Sequence, residues 1–332
     1  MSDAAELFGY NGVDLSFFGA SPLRKDLFVE VDYYPGLRPN DAALQTVVES
    51  FSAAPVMNPS GEPGINLVVD LSDELAPADA DPDLSPVWAE FDTIKNNYFP
   101  PRRQPIFHYS LFANQYDGSG FSGLSRGAPA QDFLVTLGTF STPGGTIPQQ
   151  AGTFMHELGH NIGLLHGGND NWNYKPNYLS VMSYNYQLWG LRVNNQVGVF
   201  DYSRLRIDEL DETNLNEFEA MQPVVGSTTT ESQLADYSVL IDFTWVSGTA
   251  SENLDFNNNG VIEASVGEDL DQSGAAVTTF PPSQNDWDSL VFGAGGSIGD
   301  SFLGVRGVAE RRSVIPPEMM ARCMLEVQTP VE

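Results

Sequence analysis

Residues 153–168 carry the sequence TFMHELGHNIGLLHGG, which contains three of the four histidines in the chain. His156 and His160 are four positions apart, so in a helix their side chains lie on one face, one turn apart. Gly163 can adopt a positive φ and is a natural place for the helix to end. A chain that turns there brings His166 back toward the first two imidazoles. The segment therefore predicts a helix, a sharp turn and three imidazoles around one Zn²⁺ ion.

Glu157 follows the first histidine directly and is rotated off the helix face that carries the imidazoles. Its carboxylate is expected beside the metal ion, where it can act as a general base and then as a general acid. Three protein nitrogens leave one coordination position open, which is typical of catalytic zinc. Pro148 is expected to open the same helix. His108, the fourth histidine, lies in an apolar stretch and is expected to be a core or surface histidine.

The sequence before this helix alternates between strand and helix patterns. Residues 26–33 (DLFVEVDY) predict a strand, and residues 40–54 predict a helix with Asn40 as its N-cap. Further strands are predicted at residues 65–71, 106–112 and 132–137. The first two strands and the intervening helix form a βαβ unit, which favours parallel pairing with a right-handed crossover.

The predicted fold is α+β, or mixed α/β, with a twisted, mostly parallel sheet, an antiparallel edge strand and the histidine-bearing helix. The edge strand is expected at residues 122–126, with a loop as the alternative. Turns and short apolar runs follow the helix, with one further helix predicted near residues 212–221 and another toward the C-terminus. We expect one catalytic domain over residues 1–332, divided into an N-terminal lobe (1–163) and an irregular C-terminal lobe (164–332).

Charge and cysteine content restrict the partners of the chain. Forty-four acidic and 15 basic residues give a net charge of −29. Such a surface repels polyanions, so nucleic acid and membranes are not expected as partners, and a solvated acidic shell explains most of the charge. The N-terminus lacks the basic and apolar regions of a signal peptide. Cys323 is the only cysteine, which excludes an intrachain disulfide; a buried thiol is expected, with a zinc-blocking thiolate as the alternative.

Residues 156–166 match the pattern HExxHxxGxxH at every fixed position, and this pattern is the signature of the metzincin clan of zinc peptidases. The resemblance implies a tight turn with a methionine beneath the zinc. Residues 179–184 (LSVMSY) fit this turn, with Met182 as its methionine. Tyr184 is similar in position to a tyrosine that serralysins and astacins hold near the zinc, which implies that it can ligate the metal at rest and help to stabilise the transition state.

The resemblance covers roughly residues 150–185 and does not extend to one family within the clan. Gly167 follows the third histidine, where serralysins typically have proline, astacins glutamate and adamalysins aspartate. Residues 173–182 (NYKPNYLSVM), followed by an Asp/Asn-rich segment, are similar to a group of bacterial metalloproteases.

The resemblance implies a zinc-dependent endopeptidase that cleaves internal bonds of a peptide or protein with a zinc-activated water and Glu157 as base and acid. The substrate is expected to add as a strand to the sheet edge at residues 122–126. Two alternatives stay open, namely another zinc amidohydrolase, such as an amidase or deacetylase, and a calcium-stabilised binding or adhesion module with a vestigial zinc site. Such peptidases are usually exported, so an extracellular location is expected, and the oligomeric state stays open.

A second metal region is predicted within residues 251–274. Residues 255–263 (DFNNNGVIE) resemble the front of an EF-hand loop, but Val266 stands where that loop needs a bidentate glutamate. Residues 269–274 (DLDQSG) repeat the spacing of oxygen ligands before a glycine. Structural Ca²⁺ is expected, with ordinary Asn/Asp/Gly turns as the alternative. The candidate ligands are Asp255, Asn257, Asn259, Val261, Glu263, Asp269, Asp271 and Ser273, with Glu263, Asp286 or Asp288 completing the shell.

Overall fold

The computed structural model describes residues 3–291, and a five-stranded sheet lies at the centre of their first half. Its strands are β1 (Lys25–Tyr33), β2 (Ile65–Glu74), β3 (Phe107–Phe112), β4 (Gly123–Ser125) and β5 (Asp132–Val135). The spatial order is β2-β1-β3-β5-β4, with all neighbours parallel except β4, which is antiparallel to β5. The predicted mixed α/β fold with a mostly parallel sheet is confirmed, and so is the antiparallel edge strand.

Helices cover both faces of this sheet, and the sequence of β1 reflects that position. Leu27, Val29 and Val31 point into one core and Phe28 points into another. A parallel strand between two helical layers is buried on both faces. In β1 the Val29 face is apolar, whereas the Phe28 face also carries the buried carboxylates of Glu30 and Asp32. The helices are α1 (Asp3–Phe8), α2 (Asp41–Ser52), α3 (Val87–Tyr98) and α4 (Ile147–Asn161). Helices α2 and α4 contribute to the Leu27 side, and α3 contributes to the Phe28 side.

Helix α2 matches the sequence prediction, whereas α3 is an element that the sequence prediction lacks. The Asn40 side chain accepts the N–H of Ala42 and caps α2, as expected. Val87, Phe91 and Ile94 form the buried face of α3. Their spacing of four and three residues is helical, so the signal for α3 is present in the sequence.

From residue 164 onward the chain forms short strands and turns around a separate apolar core. The elements are β6 (Leu191–Val193), β7 (Gln196–Val199), β8 (Leu210–Asp211), α5 (Glu231–Leu234), β9 (Tyr237–Ser238), β10 (Leu240–Ile241), β11 (Thr244–Trp245) and β12 (Thr279–Phe280). The irregular character predicted for this half is therefore found. The division into lobes at residues 163 and 164 stays a prediction.

The helix predicted near residues 212–221 is wrong. Leu215 pairs with Val266 in an antiparallel bridge, and β8 ends just before this segment. The carboxylates of Glu212 and Glu217 are buried and accept backbone N–H groups from later loops. These long-range bonds hold the segment in turns and extended backbone.

Two sequence predictions concern the C-terminal end of the chain. The helix expected there and the thiol of Cys323 lie outside the residues that the structure describes. Within residues 3–291, no helix has both the length and the apolar character that a membrane span requires.

A buried charged cluster lies on the α3 side of the sheet. Arg103 Nη1 donates to Glu30 Oε2 at 2.5 Å and to Asp70 Oδ2 at 2.6 Å. Asp32, two positions along β1, accepts the Tyr109 hydroxyl at 2.8 Å. Burial raises the pKa of Glu30 from 4.5 to about 7, and the hydrogen bond from Arg103 opposes that shift only in part.

The raised pKa of Glu30 makes the stability of the fold depend on pH. Between pH 4.5 and about 7 the folded protein keeps a proton on Glu30 that the unfolded chain has released. The stability that this proton contributes is therefore complete below pH 4.5 and is lost as the pH rises through 7.

Glu30→Gln removes this titration, so the variant is expected to gain stability relative to wild type as the pH rises from about 4.5 to about 8. The gain in unfolding free energy should reach a few kcal/mol and is measured by urea unfolding at steps of pH. Glu74→Gln, at an exposed position on β2, is the matched control for the loss of one carboxylate. A constant difference for Glu30→Gln would contradict the raised pKa.

Candidate metal centre

Helix α4 begins with a capping box and ends at a glycine turn. Thr146 Oγ1 accepts the N–H of Gln149 at 3.4 Å, and the Gln149 side chain accepts the N–H of Thr146 at 2.9 Å. Two N–H groups that the helix start leaves free are thereby satisfied. Pro148 lies in the first turn, as predicted. The helix ends at Asn161, and Gly163 has a φ of +97°, which a residue without Cβ adopts readily.

The turn at Gly163 brings His166 back to the two histidines of α4. The ring centroids of His156 and His160 are 4.7 Å apart, and the His166 centroid lies 5.3 Å from the first and 4.9 Å from the second. One nitrogen of each ring lies within 4.8 Å of the other two. All three side chains are buried, with exposed fractions of 0%, 3% and 2%. The three sequence candidates thus lie together in the interior.

Backbone carbonyls fix the orientation of the two helix imidazoles. His156 Nδ1 donates to the Val181 carbonyl at 3.0 Å, and His160 Nδ1 donates to the Leu164 carbonyl at 2.8 Å. A carbonyl oxygen only accepts, so each Nδ1 carries a proton and each Nε2 holds the lone pair that a metal ion needs. Burial, followed by repulsion from the other two histidines, holds the pKa of His156 well below its usual value. A neutral ligand is therefore available near pH 7.

The donor set fits Zn²⁺. His156 Nε2 is buried and has no hydrogen-bond partner within residues 3–291. A buried polar nitrogen without a partner costs free energy, which a bound metal ion removes. Three imidazole nitrogens converging on one point match the ligand number and chemistry of a catalytic zinc site.

The side chain of Glu157 extends from α4 toward the edge strand β4. This side chain is fully buried. A Cβ on Gly123 would lie 2.8 Å from Glu157 Oε1 and 2.7 Å from the Leu134 carbonyl oxygen. Glycine at this position therefore leaves the room that the carboxylate occupies. The contact joins the predicted general base to the predicted substrate strand.

Asn161 fastens the end of α4 to the sheet. Its Nδ2 donates to Ser125 Oγ at 2.8 Å and to the Asp132 carbonyl at 3.2 Å. Its Oδ1 accepts the Nδ1–H of His108 at 3.0 Å. His108 is buried and contacts Asn161 instead of joining the other three histidines, as expected for a core histidine.

Residues 174–188 form an irregular segment next to the histidines and are buried throughout. Met182 packs on α4, and a Cβ on Gly159 would overlap its sulfur. The ring centroid of Tyr184 lies 4.6 Å from that of His166 and 5.9 Å from that of His156. The methionine and the tyrosine that the metzincin resemblance identified therefore contact the helix and the imidazoles.

Gly167, where the chain departs from the familiar metzincin families, lies against Asp170. A Cβ at residue 167 would overlap Asp170 Oδ1, and the Gly167 N–H donates to the Asp170 carbonyl at 3.0 Å. Lys175 is fully buried and pairs with Asp170 at 2.6 Å. The glycine thus makes room for an ion pair that closes the loop after His166.

The first candidate calcium loop, residues 255–263, is closed around a buried glutamate. Asp255 accepts the N–H groups of the residues four and five positions later, at 3.0 and 2.8 Å. Glu217 accepts the N–H groups of Phe256 and Glu263, one and eight positions after Asp255, at 2.8 and 2.9 Å. Asn259 Nδ2 donates to Glu263 Oε2 at 2.9 Å. The Asn259 amide therefore faces the Glu263 carboxylate across the loop, and calcium binding here stays a prediction.

The second loop, residues 269–277, repeats this arrangement position by position. Asp269 accepts the N–H groups four and five positions later, at 3.0 and 2.7 Å. Glu212 accepts the N–H groups of Leu270 and Val277, one and eight positions after Asp269, at 3.2 and 2.8 Å. Carboxylate oxygens of Glu212, Asp269 and Asp271 lie within 4.8 Å of one another. Among residues 3–291, this acidic group and the three histidines are the groups of at least three His, Cys, Asp or Glu side chains that could hold a cation.

Glu212 and Glu217 are not among the ligands that the sequence predicts, because each lies far upstream of its loop and carries no local spacing signal. Asp286 is one of the three residues named as alternatives for completing the calcium shell. Its carboxylate accepts the hydroxyl groups of Tyr178 and Ser180, beside the candidate metal centre.

Comparisons of the chain with models of known protein families and with curated proteins gave no match. The chemistry of the site is therefore inferred from its residues and their geometry.

Gly123→Ala tests the close contact between Glu157 and the edge strand. The new Cβ would meet both the carboxylate and the backbone of β5, so we expect a loss of about 1–3 kcal/mol in unfolding free energy. Gly127→Ala is the control, because a Cβ there would meet its nearest atom at 3.7 Å, in ordinary contact. Denaturant unfolding measures both variants, and equal stability of the two would show that the space at Gly123 is not restricted.

Proposed function

We propose that this chain is a zinc-dependent endopeptidase of the metzincin type, with Zn²⁺ held by His156, His160 and His166. The convergence of three buried imidazoles beside a buried glutamate carries the proposal. One nitrogen from each ring lies within 4.8 Å of the others, and Glu157 follows the first ligand directly. Three neutral imidazoles with a fourth position open are the donor set of catalytic zinc.

The roles of the surrounding residues follow from peptide hydrolysis. Zinc, when bound, polarises the scissile carbonyl and lowers the pKa of water. Glu157 accepts a proton from the attacking water and delivers it to the nitrogen of the leaving amine. Tyr184, next to His166, is proposed to donate a hydrogen bond to the developing oxyanion.

The proposed substrate is an extended segment of a peptide or protein, bound along β4 as an added strand. The backbone groups of Ser122 and Arg126 bond inward to β5. Backbone groups alternate in direction along a strand, so those of Gly123 and Ser125 point to the outer edge. Strand addition needs no free chain end, which supports cleavage of internal bonds. Export of the protein stays a prediction.

Glu157→Gln tests the proposed mechanism because it keeps the shape of the side chain and removes the base. The variant should bind one zinc per chain and cleave an unfolded protein at least about 100-fold more slowly than wild type. His160→Ala, the control for ligand loss, should lose both zinc and activity. Cleavage is followed by mass spectrometry of the fragments, and zinc by elemental analysis.

The same assay separates the alternative functions. Acetylated lysine and simple amide substrates are tested beside the unfolded protein. Turnover of those substrates alone by the zinc-loaded wild type would favour another amidohydrolase. Near-normal proteolysis by Glu157→Gln would contradict the role of the glutamate.

We also propose that Ca²⁺ stabilises the second half of the chain at residues 255–263 and 269–277. Alternating oxygen-bearing side chains before a glycine suit a hard cation. In the second loop, Glu212 brings a third carboxylate to Asp269 and Asp271, although the local sequence lacks the glutamate of an EF-hand.

Millimolar Ca²⁺ should therefore raise the Tm of wild type by several degrees, because a ligand that binds only the folded state stabilises it. Glu212→Gln should reduce this gain, whereas Glu219→Gln, at an exposed position nearby, should keep it. Thermal unfolding with Ca²⁺, with Mg²⁺ and with a chelator gives the comparison. Equal gains in the two variants would argue against a site at Glu212.

A further inference from the structure

The Val181 carbonyl accepts the Nδ1–H of His156, so the groups that fix Val181 also fix this imidazole. Val181 lies in the irregular segment 174–188, where neither a helix nor a strand holds the backbone. Its N–H donates to the Asp201 carbonyl at 2.9 Å. The N–H of the next residue donates to Ser180 Oγ at 3.2 Å. The position of the carbonyl therefore depends on the side chains that surround the segment.

Asp286 connects the side chains on both sides of Val181. Its Oδ2 accepts the Tyr178 hydroxyl at 2.7 Å, the Ser180 hydroxyl at 2.8 Å and the Ser203 N–H at 2.8 Å. The Asp286 N–H donates in turn to the Ser203 carbonyl at 2.9 Å. Tyr178 and Ser180 precede Val181 in the chain. Ser203 lies two residues after Asp201, whose carbonyl accepts the Val181 N–H. One carboxylate thus fixes the two segments that hold the carbonyl in place.

This carboxylate is in an unfavourable electrostatic environment. Asp286 is fully buried, and none of the ion pairs found within residues 3–291 includes it. Burial raises its pKa to about 6, and its hydrogen bonds oppose the shift. A buried carboxylate costs folding free energy unless its oxygens are well hydrogen bonded. Residues that are locally unfavourable in this way are concentrated near functional sites.

We propose that Asp286 is a positioning residue for the metal centre. It holds Tyr178 and Ser180 so that the Val181 carbonyl fixes the tautomer and the orientation of His156. Partners of this kind, which orient a metal ligand without touching the metal, affect metal affinity strongly. The inference rests on the proposed zinc site and adds to it a residue about 130 positions from the first ligand.

Asp286→Asn tests the inference, with Asp32→Asn as the matched control. Asp32 is also fully buried and accepts a tyrosine hydroxyl, that of Tyr109, at 2.8 Å and a backbone N–H at 3.0 Å. It lies in β1, in the cluster on the α3 side of the sheet. Both variants should lower the Tm of the metal-free protein, since each replaces a buried carboxylate that accepts several hydrogen bonds.

Only Asp286→Asn should weaken zinc binding, by about 10- to 100-fold in competition with a chromophoric chelator. The visible spectrum of the Co²⁺-substituted protein should change in the same variant and stay as in wild type for Asp32→Asn. Both readouts report ligand geometry rather than global stability.

The possible failures are distinguishable. Zinc affinity of Asp286→Asn within about threefold of wild type, with a lowered Tm, would make Asp286 a structural residue only and overturn the inference. A wild-type protein that binds no zinc would overturn the proposed metal centre itself. If Asp286→Asn does not fold, Tyr178→Phe removes one hydroxyl donor and should still weaken zinc binding at least about threefold, and an unchanged affinity would overturn the inference.

Discussion

The burial of helix α4 on every side constrains the rest of the structure. Thirteen of its fifteen residues are buried. The last six positions of the helix nevertheless include His156, Glu157, His160 and Asn161, which are all polar. A buried polar group needs a partner, so each neighbouring segment must supply a carbonyl, a hydroxyl or space for a ligand. The Val181, Leu164 and Asp132 carbonyls and the Ser125 hydroxyl meet part of this requirement, and zinc is proposed to bind the imidazoles.

The same burial explains the glycines of α4 and the long irregular segment beside it. A Cβ on Gly152 would overlap the Gln187 carbonyl, and one on Gly159 would overlap Met182. The segment 174–188 therefore lies directly on the helix and is shielded from bulk solvent. Turns within the segment satisfy part of its backbone, and distant side chains bond its polar groups, including Asp286, which accepts the hydroxyl groups of Tyr178 and Ser180. The proposed chemistry therefore depends on the close packing of α4 against the buried segment 174–188.

Local patterns were sufficient to predict the sheet, α2, the histidine helix and its glycine turn. Each of these elements has a signal within a few residues, such as the alternation in β1 or the spacing of His156 and His160. The helix predicted near residues 212–221 is instead a set of turns and extended backbone. Their conformation depends on bonds from Glu212 to residues about 60 positions later, and Asp286 likewise acts on Tyr178 across more than 100 positions. Such partners cannot be read from local sequence.

X-ray absorption at the zinc edge, on protein loaded with one equivalent of Zn²⁺, tests whether the three histidines bind the metal. We expect three imidazole nitrogens at about 2.0–2.1 Å, with the multiple scattering that histidine rings produce. A sulfur neighbour at about 2.3 Å, or fewer than three imidazoles, would contradict this expectation.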